Sequence, residues 1–226
     1  MKKKLVVLVN DNAPYDSYVG LLNLKYDVEM VKYSILKKMD ITPTIDLILF
    51  TGGEDVDPIY YNQKPGKYTS YSPERDSLES KMFRFLGPKV PKLGICRGSQ
   101  FLTVMNGGKL VQHVENHAIG GLHSITFDYI LHSKMEITST HHQMMYPFDL
   151  PKKDYILCAY STKYLSPIYL NGNDKNMELD DNFLEPEIVY YPNSNSLAIQ
   201  GHPESMVMPR EGKDTILNYI STILNI

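Results

Sequence analysis

The segment that decides the fold is residues 92–100, which read KLGICRGSQ. Its first four residues predict a short strand, which is followed by a tight turn and then by a helix. This order is that of a nucleophile elbow, with Cys96 in the place of the serine in the G-x-S-x-G pattern. Gly94 and Gly98 lack the side chains that would collide where the strand and the helix cross. The segment therefore predicts an α/β sheet with a cysteine at the end of one strand.

Cys96 has two interpretations. At the start of a helix, backbone N–H groups and the helix dipole favour a thiolate, and the amide of Arg97 becomes a donor for an oxyanion. Alternatively, Cys96 is a buried structural residue between two packing glycines, as cysteines often are. The second cysteine, Cys158, lies in the apolar stretch 155–160 and is predicted to be a core strand residue.

Short apolar runs recur along the first half of the chain, at residues 5–9, 47–50 and 93–95. Because these runs are apolar on both faces, they are predicted to be central strands of a parallel sheet that helices cover. Helices are predicted between them, at residues 73–86 and 98–106. The alternation predicts a doubly wound α/β fold with a mostly parallel central sheet flanked by helices.

The second half is richer in strands. They are predicted at residues 124–129, 135–140, 155–160, 187–191 and 196–200, before a final amphipathic helix at residues 211–224. The polar, acidic stretch 166–185 is predicted to be a long loop or lid, since strands flank it. With no internal repeat, residues 1–226 are expected to form a single domain.

A second motif, SLAIQGHPE at residues 196–204, brings a histidine to the end of a predicted strand. Sites in open α/β sheets form at the carboxyl ends of strands. A thiolate mechanism needs a histidine to accept the thiol proton and a carboxylate to hold the imidazole tautomer. His202 and Glu204 fit these roles, although a lone His-Pro-Glu tripeptide would be read as a polar turn.

The composition argues against several function classes. A net charge of −3 over 226 residues offers no basic surface for nucleic acid. Two cysteines are too few for a disulfide framework, which favours a reducing compartment, the cytoplasm. The apolar run that follows Lys4 is too short for a signal peptide, and no stretch approaches the roughly 20 apolar residues that span a bilayer.

Together, GICRGSQ at residues 94–100 and QGHPE at residues 200–204 resemble the class I (triad) glutamine amidotransferase family. Two further segments, FTGGEDVDP at residues 50–58 and STHHQ at residues 139–143, resemble its γ-glutamyl hydrolase branch (peptidase C26-like), which includes the bacterial γ-glutamyl-γ-aminobutyrate hydrolases. The pair Arg75-Asp76 also recurs in that branch. The resemblance covers most of the chain.

The resemblance implies a flavodoxin-like fold and a Cys-His-Glu triad that cleaves a γ-glutamyl amide through a glutamyl thioester. By position, Cys96 would be the nucleophile, His202 the general base and acid, and Glu204 its orienter. The amides of Gly53 and Arg97 would form the oxyanion hole. The residues that would hold the glutamyl end of the substrate are Gly52, Gln100, Thr140, His141 and His142. No cofactor is implied.

Two details of these motifs affect the pocket. The residue before the histidine is usually bulky in the family and is Gly201 here, which would widen the space beside His202 or loosen its support. Adjacent His141 and His142 cannot face the same way on a strand, so at most one of them is expected to line the site.

Three histidines, His113, His117 and His123, stand near Glu115 at spacings that raise the question of a metal. His113 and His117 have helical spacing, but the glycines at 120 and 121 argue against a helix there, and zinc motifs are usually more regular. We therefore expect no metal site.

Three functions are compatible with these patterns. The first is a stand-alone hydrolase that releases glutamate and an amine. The second is the glutaminase subunit of an amidotransferase that delivers ammonia to a separate synthetase partner. The third is a catalytically silent binding protein of the same fold, against which the intact Cys, His and Glu argue. A small-molecule γ-glutamyl substrate is expected, a homodimer is compatible, and neither nucleic acid nor a membrane is expected as a partner.

Overall fold

Most strands of the described chain join into one large sheet. The computed structural model describes residues 4–8, 14–32, 45–163 and 165–226. The strands are, in chain order, β1 (Lys4–Leu8), β2 (Val28–Lys32), β3 (Leu47–Phe50), β4 (Lys92–Ile95), β5 (Lys109–Val111), β6 (His113–Val114), β7 (Ala118–Phe127), β8 (Lys134–Thr140), β9 (Met144–Tyr146), β10 (Ile156–Ser161), β11 (Tyr169–Leu170), β12 (Pro186–Tyr191) and β13 (Ser196–Ile199). Nine of them form a sheet in the order β2-β1-β3-β4-β13-β12-β10-β7-β8.

The sheet has a parallel half and an antiparallel half. Strands β2, β1, β3, β4 and β13 pair in parallel, in the order that flavodoxin-like sheets use. The pairings that continue from β13 through β12, β10 and β7 to β8 are antiparallel. The predicted fold class, a doubly wound α/β sheet with extra antiparallel strands in the second half, is confirmed.

Helices cover both faces of the parallel half. Among the described residues they are α1 (Tyr15–Leu22), α2 (Pro73–Leu86), α3 (Arg97–Met105) and α4 (Arg210–Leu224). One hydrophobic cluster joins α1 and α4 with Val6 and Leu8 of β1, and a second joins α2 and α3 with Val7. Strand β1 is therefore buried on both sides, as its continuous apolar run predicts. None of the helices in the described part of the chain is long and apolar enough to cross a membrane.

The predicted helix at residues 73–86 is confirmed with the same bounds. Ser72 caps it, because its Oγ accepts a hydrogen bond from the N–H of Arg75 at 3.4 Å, and Pro73 occupies the first turn. The predicted strand at residues 5–9 is β1, with Val9 itself outside the described residues. Sequence analysis missed α1, β2 and the short strands of the two small sheets, β11-β6 and β5-β9, because such brief segments carry little periodicity.

The stretch 166–185 is held against the rest of the chain by strand pairing and aromatic packing. Within it, β11 pairs with β6, and the N–H of Ser166 donates to Oε1 of Glu185 at 2.7 Å. The ring of Phe183 packs against those of Tyr146, Phe148 and Tyr169. The predicted long loop therefore contains a short strand, and aromatic packing anchors it to the neighbouring loops.

Three glycines lie where backbone elements touch. A Cβ on Gly98 would collide with the backbone of Phe50, and a Cβ on Gly94 would lie 2.6 Å from the carbonyl carbon of Gly98. The close crossing of β4 and α3 expected from the sequence is therefore present. A Cβ on Gly201 would lie 2.6 Å from Cγ1 of Ile137. Ile137 thus fills the space that Gly201 leaves, so the glycine does not enlarge the pocket on this side.

The crossing of β4 and α3 generates a stability prediction. Gly98→Ala should lower the free energy of unfolding by about 1–3 kcal/mol, because the added methyl group must displace backbone. Gly20→Ala is the matched control: Gly20 lies in α1 with nothing within 4 Å of its Cβ position, so the change should raise stability by about 0.5–1 kcal/mol. Urea unfolding measures both. A Gly98→Ala variant as stable as the wild type would contradict the packing described.

Candidate active site

Cys96 lies on the turn between β4 and α3, in a backbone conformation that few residues with side chains adopt. Its φ is 54° and its ψ is −114°, and such positive φ angles cost about 1–3 kcal/mol outside glycine. Hydrogen bonds hold the turn: the N–H of Cys96 donates to the carbonyl oxygen of Ile199 at 2.8 Å, and its own carbonyl accepts from the hydroxyl of Ser99 at 2.6 Å. Only 9% of Cys96 is exposed. These are the features of a nucleophile elbow.

His202 reaches Cys96 because β4 and β13 are parallel neighbours. In their register Ile199 pairs with Ile95, so the two strands end at the same level. The N–H of His202 donates to Oγ1 of Thr138 at 2.6 Å. Strand β8, from the antiparallel half of the sheet, therefore supports the backbone that carries the histidine.

The imidazole of His202 lies between a thiol and a carboxylate. Its Nδ1 is 2.7 Å from Oε1 of Glu204, and the ring also forms a hydrogen bond with the side chain of Cys96. Burial alone would lower the pKa of His202, but the hydrogen bonds with Cys96 and Glu204, together with the negative charges of these partners, raise it to about 10. The imidazole therefore carries a proton on both nitrogens at neutral pH, one facing sulfur and one facing the carboxylate.

A glycine loop follows β3 and borders both groups. A Cβ on Gly52 would lie 3.1 Å from Cε1 of His202 and 3.6 Å from Cβ of Cys96. Gly53 has a φ of 137°, and a Cβ there would collide with the guanidinium of Arg75. Side chains are thus excluded from this part of the site, which leaves the loop backbone facing the thiol.

Arg75 holds the glycine loop through hydrogen bonds to its carbonyl oxygens. Its Nη2 donates to the carbonyl oxygens of Thr51 at 2.8 Å and Gly52 at 3.1 Å, and its Nε donates to Oε1 of Glu79 at 2.9 Å. Sequence analysis noted Arg75 only as part of a recurring pair. The structure shows that its guanidinium fixes the loop carbonyls and so orients the intervening amides.

Arg97 is buried at the start of α3. Its guanidinium forms ion pairs with Asp76 and Glu79, which are also buried. A buried arginine needs such partners, since an unpaired charge inside a protein is strongly destabilising. Because Glu79 also binds Arg75, one helix, α2, holds both the elbow and the glycine loop.

Tyr18 of α1 belongs to the site although sequence analysis did not single it out. Its hydroxyl accepts a hydrogen bond from the N–H of Gly52 at 3.3 Å. Burial, and then the charge of nearby Glu204, raise the pKa of Tyr18 above its usual value. Tyr18 is one of 17 tyrosines, and nothing in its local sequence distinguishes it from a core residue.

The substrate-binding residues expected from the resemblance divide into buried and accessible ones. Gln100 is buried, and its Nε2 donates to the carbonyl oxygen of Gln143 at 3.0 Å. His141 is also buried, and its Nδ1 lies 2.9 Å from the same oxygen. Thr140 is exposed at the end of β8, and 39% of the His142 side chain is accessible.

His141 and His142 point in different directions, as expected for neighbours in extended backbone. Nε2 of His142 is 3.1 Å from Oδ1 of Asp55. This hydrogen bond raises the pKa of His142, and burial opposes it. His142 is thus the member of the pair whose side chain is accessible to solvent, whereas the side chain of His141 is buried.

The histidines considered for a metal in the sequence do not all come together. The ring of His113 stacks on Tyr68 with 4.0 Å between centroids. His117 and His123 instead lie buried beside Glu187, and the candidate ligand atoms of these three residues are within 4.8 Å of one another. No local spacing indicated this group, because Glu187 comes from the distant strand β12.

The chain is similar to known proteins in sequence and in fold. The sequence pattern of the Peptidase C26 family matches residues 34–162, more than half of the chain. The "Putative glutamine amidotransferase PB2B2.05" of Schizosaccharomyces pombe is 40% identical over 111 residues, which are 47% of this chain and 44% of that protein. The carbamoyl phosphate synthase small chain of Helicobacter acinonychis is 24% identical over 189 residues, 81% of this chain and 41% of that one. The chain thus spans less than half the length of these curated relatives.

A solved structure supports the fold. The glutamine amidotransferase of Thermotoga maritima superposes with a TM-score of 0.56 at 15% sequence identity, over 100% of this chain and 97% of that one. From its sequence and its fold, the chain belongs to the Peptidase C26 family, among the class I glutamine amidotransferase-like proteins.

Proposed function

We propose that this protein hydrolyses a γ-glutamyl amide bond, with Cys96 as nucleophile, His202 as general acid and base, and Glu204 as the group that orients the imidazole. The observation that carries the proposal is the arrangement of these three side chains. Cys96 stands on a strained turn with φ 54°, and the imidazole hydrogen-bonded to it lies 2.7 Å from a buried carboxylate. This is the geometry in which a thiol is activated by a base that a third group orients.

In the first half of the reaction, the sulfur of Cys96, whose proton is already held by His202, attacks the γ-carbonyl carbon of the substrate. His202 then gives its proton to the departing nitrogen, the C–N bond breaks, and an amine leaves. The product on the enzyme is a glutamyl thioester. In the second half, His202 accepts a proton from water, the hydroxide attacks the thioester, and glutamate leaves as the C–S bond breaks.

The oxyanion of each tetrahedral intermediate would be held by the amides of Gly53 and Arg97. The amide of Arg97 is the first of α3, and the first N–H groups of a helix have no partner within the helix. The amide of Gly53 belongs to the loop whose carbonyls Arg75 fixes. Donors that are fixed before the reaction stabilise the developing charge most.

For the glutamyl end of the substrate, the accessible residues Thr140 and His142 offer direct contacts, and Gly52 leaves room beside the thiol because it has no side chain. Gln100 and His141 are buried, and both bind the carbonyl oxygen of Gln143. We propose that these two residues shape the wall of the pocket rather than contact solvent-exposed parts of the ligand.

A second candidate function is the glutaminase subunit of an amidotransferase, which would pass ammonia to a synthetase partner. Similarity to a carbamoyl phosphate synthase small chain over 81% of this chain favours it. The two functions use the same chemistry and differ in partner dependence. A stand-alone hydrolase is active by itself, whereas a glutaminase subunit is weak alone and gains activity in its complex.

The decisive experiment measures glutamate release from a panel of γ-glutamyl amides that includes glutamine. Release from one conjugate but little from glutamine is the result expected for a hydrolase. Cys96→Ala should reduce turnover ~1,000-fold or more, because the nucleophile is lost, and Cys158→Ala, which removes a core thiol, should retain it. Turnover unchanged in Cys96→Ala would rule out the mechanism. Glutamine as the sole substrate, or release only with a partner, would favour the subunit.

Thiol labelling tests the site without a substrate. Cys158 is fully buried, and burial raises the pKa of its thiol to about 11. Cys96 borders the site and is hydrogen-bonded to His202. A small alkylating reagent near neutral pH should therefore modify Cys96 at least roughly tenfold faster than Cys158, as peptide mass spectrometry would show. Equal, slow labelling of both would favour a catalytically silent protein.

The pH dependence tests the role of Glu204. Since the pKa of His202 is raised to about 10, activity should persist through neutral pH and fall as the imidazole loses its proton near that value. In Glu204→Gln the carboxylate charge is gone, so the alkaline limb should move down by about 1–3 pH units and the rate should drop. Glu211→Gln, an exposed glutamate at the start of α4, is the control. An alkaline limb unmoved in Glu204→Gln would contradict the assigned role.

A further inference from the structure

A second group of ionisable side chains lies outside the triad, in the antiparallel half of the sheet. His117, His123, His141, Glu185 and Glu187 are all buried. Three imidazole nitrogens surround Oε1 of Glu187, and the distances to it are 3.1 Å from Nε2 of His123, 3.9 Å from Nε2 of His141 and 4.0 Å from Nδ1 of His117. His123 lies in β7 and Glu187 in β12, His117 and Glu185 directly precede these strands, and His141 directly follows β8.

The outer nitrogens of two of these rings face groups that only accept hydrogen bonds. Nε2 of His117 is 2.9 Å from a carboxylate oxygen of Glu185, and Nδ1 of His141 is 2.9 Å from the carbonyl oxygen of Gln143. Each outer nitrogen must therefore carry the ring proton. In the neutral form, the inner nitrogens, Nδ1 of His117 and Nε2 of His141, then present bare lone pairs to Glu187.

The two hydroxyl groups beside the cluster do not supply protons to it. Ser139 Oγ donates to the carbonyl oxygen of His117 at 2.8 Å, so it has no proton left for Nδ1 of that ring. Ser161 Oγ donates to the carbonyl oxygen of Lys163 at 3.0 Å and lies 3.5 Å from Nδ1 of His123. When Nδ1 of His123 donates to this hydroxyl oxygen, its Nε2 presents a lone pair to Oε1 of Glu187, 3.1 Å away.

With this tautomer of His123, lone pairs converge at the centre of the cluster without a donor between them. Nε2 of His123, Nε2 of His141 and both carboxylate oxygens of Glu187 are buried and have no hydrogen bond of good geometry. Such an arrangement is unfavourable unless positive charge lies at its centre. Two buried carboxylates, those of Glu185 and Glu187, also require compensating charge. A divalent cation would supply it and would satisfy every lone pair at once.

We propose that His117, His123, His141 and Glu187 form a binding site for a divalent transition metal of the Zn2+ type. Three nitrogens and one carboxylate oxygen suit Zn2+, and a tetrahedral site places ligand atoms about 3.3 Å apart, close to the distances around Glu187. Outer ring N–H groups bound to a carboxylate and a carbonyl are the supports that metal-ligating histidines have. Four protein ligands leave no open position, so the metal has a structural role.

This site differs from the metal hypothesis drawn from sequence spacing, which was rejected there. Neither His113 nor Glu115 belongs to it, and its carboxylate comes from β12. None of its four ligands is a triad residue, and only His141 is shared with the proposed substrate pocket, whose wall it shapes. A bound ion would cross-link β7, β12 and the end of β8, the strand that supports His202.

The test uses the purified chain, stripped with a chelator and then titrated with Zn2+ or Co2+. We expect one equivalent of metal per chain by elemental analysis, a higher melting temperature with Zn2+, and the intense visible absorption of tetrahedral Co2+. Glu187→Gln and His123→Gln should lose the stoichiometric metal and the absorption. His132→Gln, which changes a side chain that is 74% exposed, and Cys96→Ala should keep both.

Absence of stoichiometric metal and an unchanged melting temperature in the wild type would overturn the proposal, and protons on His117 and His123 would then balance the carboxylates. Loss of metal in Cys96→Ala or His132→Gln would also overturn it, by placing the ion at the thiol or on the surface. Should a cluster variant fail to fold, the stoichiometry and the Co2+ spectrum of the wild type still decide the question.

Discussion

The backbone of Cys96 is the constraint on which the site depends. A positive φ at a residue with a side chain persists only where the surroundings impose it. Here Gly98 lies directly on the backbone of Phe50, so α3 starts at one fixed position above the sheet. The buried ion pairs of Arg97 with α2 then fix the orientation of that start. Because α2 also carries Arg75, the conformation of the glycine loop is set by the same helix as that of the elbow.

Much of the fold could be predicted because its signals are local. The elbow is predicted from seven consecutive residues, 94–100. Helix α2 is predicted from a capping residue, a proline and an acidic first turn, and its predicted bounds agree with the structure for that reason. The residues Cys96, His202 and Glu204 were named from two short motifs. Their proximity follows from the register of β4 and β13, which the alternation of elements implies once the sheet is parallel.

What sequence analysis missed arises from tertiary juxtaposition. Tyr18 meets the glycine loop only because α1 and β3 share one hydrophobic cluster. Glu187 meets His123 only because β12 and β7 flank β10. The resemblance of motifs also predicted which residues lie near the site, but not where their side chains point. It left open which of His141 and His142 lines the site, and the structure turns His141 inward and brings His142 to Asp55. Gly201 was expected to widen the pocket or loosen the support of His202. In the structure, Ile137 of β8 occupies the space that a side chain at position 201 would fill.

The parallel pairing of β4 with β13 has a consequence for how this protein can change over evolutionary time. The separation of thiol and imidazole is set by the spacing between neighbouring strands, about 4.8 Å in any sheet, and by one backbone hydrogen bond from Cys96 to Ile199. The loops outside the large sheet are built from other parts of the chain, among them the stretch 166–185. Insertions and substitutions there can change the surface around the site without moving Cys96 or His202. One arrangement of thiol and imidazole can therefore be inherited unchanged while the surrounding loops diverge.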